Sequence, residues 1–148
     1  VALRVDARLH VQLDADDPFL FYEAAAELLE EYKKRSASSP VDYITWTGLP
    51  HGSGVEIFSA ASLIQASKLP NLTKEDHEHV GPALYKHQDN FSCLFLKAPS
   101  SYYYPDLRTT IDTPADYRRA LALLRVLSSN KAKATDTLFK KNILVRGV

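Results

Sequence analysis

The sequence is short of the features that mark specialised scaffolds, and each shortage excludes something. It has one cysteine, Cys93. A single thiol rules out an internal disulfide and any zinc site built from several cysteines. Cys93 lies in Phe91-Ser92-Cys93-Leu94-Phe95-Leu96 and reads as a small core residue. There is no charge of either sign in excess, eighteen Lys and Arg standing against eighteen Asp and Glu. That balance gives no electrostatic reason to expect nucleic acid or an anionic membrane as partner. No apolar run approaches the ~20 residues of a membrane-spanning helix, and no signal peptide is visible. Internal repeats and low-complexity blocks are missing too. The expectation is a soluble cytoplasmic protein. The chain begins with Val1 and not Met, as a processed, cloned or incompletely recorded piece of a longer protein would.

What is present is ordinary globular material, 45% hydrophobic and 24% charged over 148 residues, the size of a single domain. Leu9, Val11 and Leu13 alternate with His10 and Gln12, the period of a strand. Asp14, Asp16 and Asp17 follow, and Pro18 stops further pairing because it has no N–H. The clearest helix runs from Phe21 to Arg35, with Phe21, Ala25, Leu28, Leu29 and Tyr32 on one face and bases at its end. Residues 1–5 read as a strand or the tail of a preceding helix, strands are expected over 41–47, 55–58, 91–97 and 107–111, and residues 130–148 hold a basic patch with a short helix or strand. Ser59 caps a helix over 60–68, and Thr73 with Asp76 opens another that carries Glu78-His79-Val80 and stops or kinks at Gly81-Pro82. A last amphipathic helix spans 117–129, with Tyr117, Ala120, Leu121, Leu124 and Leu127 inward. Alternating strands and helices predict an α/β domain with a mainly parallel or mixed sheet.

Two segments share a construction: Leu13-Asp14-Ala15-Asp16-Asp17-Pro18 and Thr110-Ile111-Asp112-Thr113-Pro114 each run from strand to acid to proline. If the strand ends are neighbours, Asp16 and Asp112 can share one Mg²⁺, which favours one or two carboxylates plus water and substrate phosphates. The alternatives stay open here. The acidic stretch is also a plausible solvated turn, and Asp112 a plausible cap for the helix near Pro114, with Thr113 or Asp116 sharing the task. His51 and His79 have donors for a carboxylate or hydroxyl, yet a lone His is more often an ordinary side chain. Glu56 suits sugar hydroxyls or a solvated edge. Tyr102, Tyr103 and Tyr104 point to packing or a subunit contact.

The order LDADDPFL, DYITWTGLPHGSGVEIFS, KEDHEHVGPALY and LRTTIDTPADYRRAL resembles nucleotide-sugar cytidylyltransferases over about residues 9 to 126. The similarity is greatest to the spore-coat polysaccharide type, related to the acylneuraminate and deoxy-octulosonate cytidylyltransferases. The resemblance implies a GT-A-like (Rossmann-like) nucleotidyltransferase fold, a mixed sheet flanked by helices. Residues 1–148 would form a single domain equivalent to the C-terminal two-thirds of such an enzyme, its N-terminal part missing. It implies that Asp16 and Asp112 bind a catalytic Mg²⁺. His51, Gly52 and Glu56 would lie on the sugar side, and Glu78 and His79 near the site or a dimer contact. The implied substrates are CTP and a sugar acid or sugar phosphate, giving a CMP-sugar or CDP-sugar for surface polysaccharide, and the implied assembly is a homodimer.

The sequence also departs from the pattern. No stretch matches the family's Gly/Arg/Lys nucleotide loop, and Gly81 replaces a threonine. The backbone N–H groups and cations of such a loop are not replaced by a lone Mg²⁺. A non-catalytic binding or dimerisation module is therefore the rival reading. A phospho-receiver-like domain, with Lys97 as its only candidate lysine, is a more distant third.

Overall fold

The computed structural model describes residues 8–12, 14, 16–19 and 21–129. The strand or helix tail expected over 1–5, and the basic patch and short element expected over 130–148, lie outside the described residues. Among the described residues nine elements follow in order: β1 (Leu9–Gln12), α1 (Tyr22–Ser36), β2 (Tyr43–Thr47), β3 (Glu56–Ser59), α2 (Ala60–Ala66), α3 (Lys74–Glu78), α4 (Pro82–Tyr85), β4 (Cys93–Lys97) and α5 (Pro114–Ser129). The chain separates into two compact units, one from residues 1–12, 27–46 and 55–96, the other from 13–26, 47–54 and 97–148.

The first unit holds a four-stranded sheet of order β1-β3-β2-β4. β3 is antiparallel to both neighbours, pairing Val11 with Ile57 and Ile44 with Ile57 across the two ladders. β4 runs in the direction of β2, because Asp42 N–H donates to Ser92 C=O (3.0 Å) at one end and Ala98 N–H to Thr47 C=O (3.0 Å) at the other. The sheet is therefore mixed, as expected. Side chains alternate between its faces. Tyr43 and Phe58 join Ala66, Ala83, Leu84 and Phe91 in one buried cluster. Ile44 and Ile57 point the other way and are fully buried, so the central strands β2 and β3 are covered on both faces, while Val11 and Phe95 on the edge strands stay exposed. Each such branched side chain contributes about 2–3 kcal/mol of transfer free energy. Asp42 ties the unit together: its carboxylate accepts from Ser62 Oγ and from Ser92 N–H (2.8 Å). Cys93, expected to be a buried core residue, is only partly buried; it packs against the cluster, and burial pushes its thiol up to about 11.

Ser59 caps α2, its Oγ accepting from Ser62 N–H (3.4 Å). The capping box on α3 is complete, with Thr73 N–H donating to Asp76 (2.8 Å) and Asp76 N–H to Thr73 Oγ1 (3.3 Å). The expected helix through Val80 is shorter. It ends at Glu78, His79 is extended, and Gly81-Pro82 opens α4 where a stop or kink was anticipated. Proline suits a first helical position, since the N–H it lacks would have no partner there.

In the second unit α5 starts at Pro114, three residues before the expected Tyr117. Thr113 is the cap: its Oγ1 accepts from Asp116 N–H (3.2 Å), and Asp116 Oδ2 accepts from Thr113 N–H (2.9 Å). Asp116 is consequently buried, whereas Tyr117, expected inward, is 53% exposed. The strand expected over 107–111 is reduced to a single parallel bridge between Arg108 and His51. Tyr102 packs edge-on to Phe21 (4.8 Å between centroids), the packing role foreseen for the tyrosine run.

Candidate functional site

The second unit gathers the acids. Asp17 N–H donates to Asp14 C=O (3.3 Å), a turn closed just before Pro18. Asp16 C=O in turn accepts from Ile111 N–H (3.0 Å), which sets the first acidic segment beside the residue preceding Asp112. A long-range backbone bond thus brings the Asp16 and Asp112 segments together, although neither residue stands at the end of a parallel strand.

The loop of residues 47–54 forms the other wall. His51 N–H donates to Leu107 C=O (2.8 Å), and Thr109 N–H donates to His51 C=O (2.7 Å). Behind them Ser53 and Thr109 are buried with their hydroxyls 2.8 Å apart. Gly52 makes the close approach possible. Its φ is +92°, and a Cβ there would overlap the Thr110 backbone nitrogen and stand 2.8 Å from Asp17 Oδ1.

Electrostatics confirm that these groups sense each other. Asp17 is raised from 3.8 to about 6, first by burial, then by the negative charges of Asp16, Asp14 and Asp112, with His51 pulling the other way. Crowded carboxylates of this kind are relieved by a cation. Asp112 is not the helix cap considered as its alternative role. Its carboxylate accepts from Arg108 and Thr110 Oγ1, leaving the cap to Thr113 and Asp116. Hydrogen bonds from Thr113 first, then Arg119, hold Asp116 down at about 2.

Among the described residues no group of three or more His, Cys, Asp or Glu is arranged to hold a metal ion. The chemistry available is that of a carboxylate pair, which fits a hard cation completing its shell with water and phosphate oxygens. The same unit holds an apolar groove of about 610 Å³, lined by Phe19, Phe21, Leu107, Leu123 and Val126, with Arg108, Asp116 and Arg119 as its charged members.

The remaining expected site residues belong to the first unit. Glu56 lies on β3, where Tyr43 OH donates to its Oε1 (2.5 Å) and Gly81 passes close by. Glu78 ends α3 and His79 follows it, both exposed. The structure brings Asp16, Asp112, His51 and Gly52 together in one unit, and Glu56 near the Glu78-to-Gly81 segment in the other. Sequence reasoning did not single out Asp17, Arg108 or Thr110. Arg108 stands four residues before Asp112, but outside a helix that spacing has no fixed meaning, so only the tertiary structure pairs them.

The cytidylyltransferase family model matches residues 1–142. The spore coat polysaccharide biosynthesis protein SpsF of Bacillus subtilis is 31% identical over 113 residues, 76% of this chain and 45% of that protein. An uncharacterized protein of Methanocaldococcus jannaschii is 26% identical, over 76% of this chain and 44% of its own. The chain therefore spans less than half the length of these curated relatives. A solved cytidylyltransferase from Leptospira borgpetersenii superposes with a TM-score of 0.69, covering 92% of this chain and 62% of that one at 18% identity, which establishes the fold. Among the described residues no helix is long and apolar enough to cross a membrane. With a family match that runs through both acidic segments and the glycine loop, this chain belongs to the cytidylyltransferase family.

Proposed function

We propose that this chain is the metal- and substrate-holding part of a homodimeric enzyme that transfers CMP from CTP to a sugar acid or sugar phosphate, for surface polysaccharide synthesis. The observation that carries this reading is the convergence of Asp16, Asp17 and Asp112 on the Gly52 loop within one unit. In the reaction, the hydroxyl oxygen of a sugar acid, or a phosphate oxygen of a sugar phosphate, bonds to the α-phosphorus as the bond to the β-phosphate oxygen breaks. Pyrophosphate leaves, and where the acceptor is a hydroxyl its proton passes to solvent. Asp16 and Asp112 would hold Mg²⁺, which when bound supplies charge neutralisation and alignment of the phosphates.

The chain's own residues do the positioning. Gly52 keeps the loop against Thr110 and leaves the acids uncovered by a side chain. The Ser53–Thr109 hydroxyl pair fixes the loop from behind. His51 offers an imidazole beside the acids. In the first unit Glu56, held by Tyr43, together with Glu78 and His79, offers carboxylates and an imidazole suited to sugar hydroxyls.

The test is a Mn²⁺ titration of the chain with and without CTP, repeated on Asp16→Asn and Asp112→Asn. The proposal expects binding in the unmodified chain and its loss in both variants, with CTP tightening it. Absence of binding in the unmodified chain would turn the assignment toward a binding or dimerisation module.

A further inference from the structure

The bond between Arg108 and Asp112 bears directly on how such a site would load. Arg108 donates to Asp112 Oδ2, and Thr110 Oγ1 donates to the same oxygen. A carboxylate oxygen has two lone-pair directions, so with both donors in place Oδ2 has none left and a cation meets Asp112 only through Oδ1, against the charge of Arg108. For a cation to take Oδ2 as well, one donor must leave. Thr110 is buried and its neighbours are pinned by the His51 bridge, whereas the Arg108 side chain is 47% exposed on a flexible stem. An exposed ion pair is held weakly, so the guanidinium is the donor that yields.

Once displaced it stays tethered beside the acids, because backbone bonds on both sides of Arg108 hold its position: His51 N–H to Leu107 C=O and Thr109 N–H to His51 C=O. A planar guanidinium in that place has one obvious anionic partner, the phosphate oxygens that a cation on Asp112 would itself attract. Its fork matches two phosphate oxygens at once.

We propose that Arg108 is a polyphosphate-binding residue that competes with a divalent cation for Asp112 and turns to the phosphate chain when the cation takes that oxygen. This rests on the assignment of Asp112 to the metal. Cation binding and phosphate binding then favour each other through the same side chain, and the coupling is reciprocal. The guanidinium opposes a bare cation and favours a cation that arrives with its polyphosphate.

The experiment compares the unmodified chain with Arg108→Gln, Arg108→Lys and Asp112→Asn, each checked for its fold by circular dichroism. Two probes are titrated: Mn²⁺ alone, followed by its paramagnetic resonance signal, and a one-to-one complex of Mn²⁺ with inorganic tripolyphosphate, followed by calorimetry. Arg108→Gln is expected to bind bare Mn²⁺ about fivefold more tightly, the scale set by losing one exposed ion pair. The same variant should bind the tripolyphosphate complex about tenfold more weakly, on the scale of one lost charge-assisted contact. Arg108→Lys, which keeps the charge and loses the fork, should fall between for the complex. Opposite signs for the two probes are the signature, since a merely structural arginine would weaken both. Unchanged or same-direction effects, with Mn²⁺ binding still lost in Asp112→Asn, would overturn the inference alone. Mn²⁺ binding that is undetectable, or that survives Asp112→Asn, would overturn the metal assignment and the inference with it.

Discussion

Replacing Gly52 with alanine tests the geometry of the acidic site most directly. The glycine has φ +92°, a conformation that costs an L-residue about 1–2 kcal/mol. The added methyl would also overlap the Thr110 nitrogen and come within 2.8 Å of both Thr110 Cα and Asp17 Oδ1. Thr110 is backbone held by its flanking hydrogen bonds, so it cannot step aside as a long side chain would. Overpacking of that kind costs about 1–3 kcal/mol more. The sum, about 3 kcal/mol, corresponds to a fall in Tm of roughly 10 °C for a chain of this length. Gly54, two residues on, is the internal control. A Cβ there meets nothing within 4 Å, and its φ lies outside the left-handed range. Gly54→Ala should change stability by less than about 0.5 kcal/mol. The assay is thermal and urea unfolding of the two variants beside the unmodified chain, followed by circular dichroism. If Gly52→Ala proves as benign as Gly54→Ala, the loop does not lie against Thr110 and the site described above is wrongly assembled.

Two further expectations concern single groups. Asp17 holds its proton up to about pH 6 in the folded chain and only to about 3.8 when unfolded, so the folded state binds more protons between those values and stability falls as pH rises through that window. Asp17→Asn should therefore flatten the pH dependence of unfolding between about 4 and 6. It should stabilise the protein at pH 7.5 by about 1 kcal/mol, the ~3 kcal/mol implied by the raised pKa being reduced by solvent screening of a half-exposed carboxyl. Equal pH profiles for the two proteins would refute it. Burial first, and then its hydrogen bond to Glu56, pushes the Tyr43 phenol far above its ordinary range. Tyr43→Phe keeps the ring in the core and removes that hydrogen bond, so chemical denaturation should show a loss of about 1–2 kcal/mol, and no loss would mean that Glu56 does not depend on Tyr43.

The sequence by itself determined the elements whose causes are local. Helix-forming runs, the Thr73–Asp76 box and the Ser59 cap act within a few residues, and each formed where its pattern stands. The acid–proline construction is local as well, which is why both acidic segments were recognisable without a fold. Element limits failed where a cap outbid a pattern. Thr113 and Asp116 begin α5 early and bury Asp116, turning Tyr117 to water against its apolar character. The stretch of residues 107–111 alternates like a strand, yet it makes only one bridge because its partner is a loop rather than another strand.

The site itself was decided by the tertiary structure. That Asp112 bonds to Arg108 and not to the helix end depends on where the chain is held by His51, a residue more than fifty positions earlier. The raised pKa of Asp17 depends on burial and on charges contributed by both acidic segments, and neither can be computed from spacing along the chain. Local hydrogen bonding is encoded over a few residues and can be read in order. Electrostatics and steric closeness act through space, and here they exist only after the Gly52 loop has been laid against Thr110.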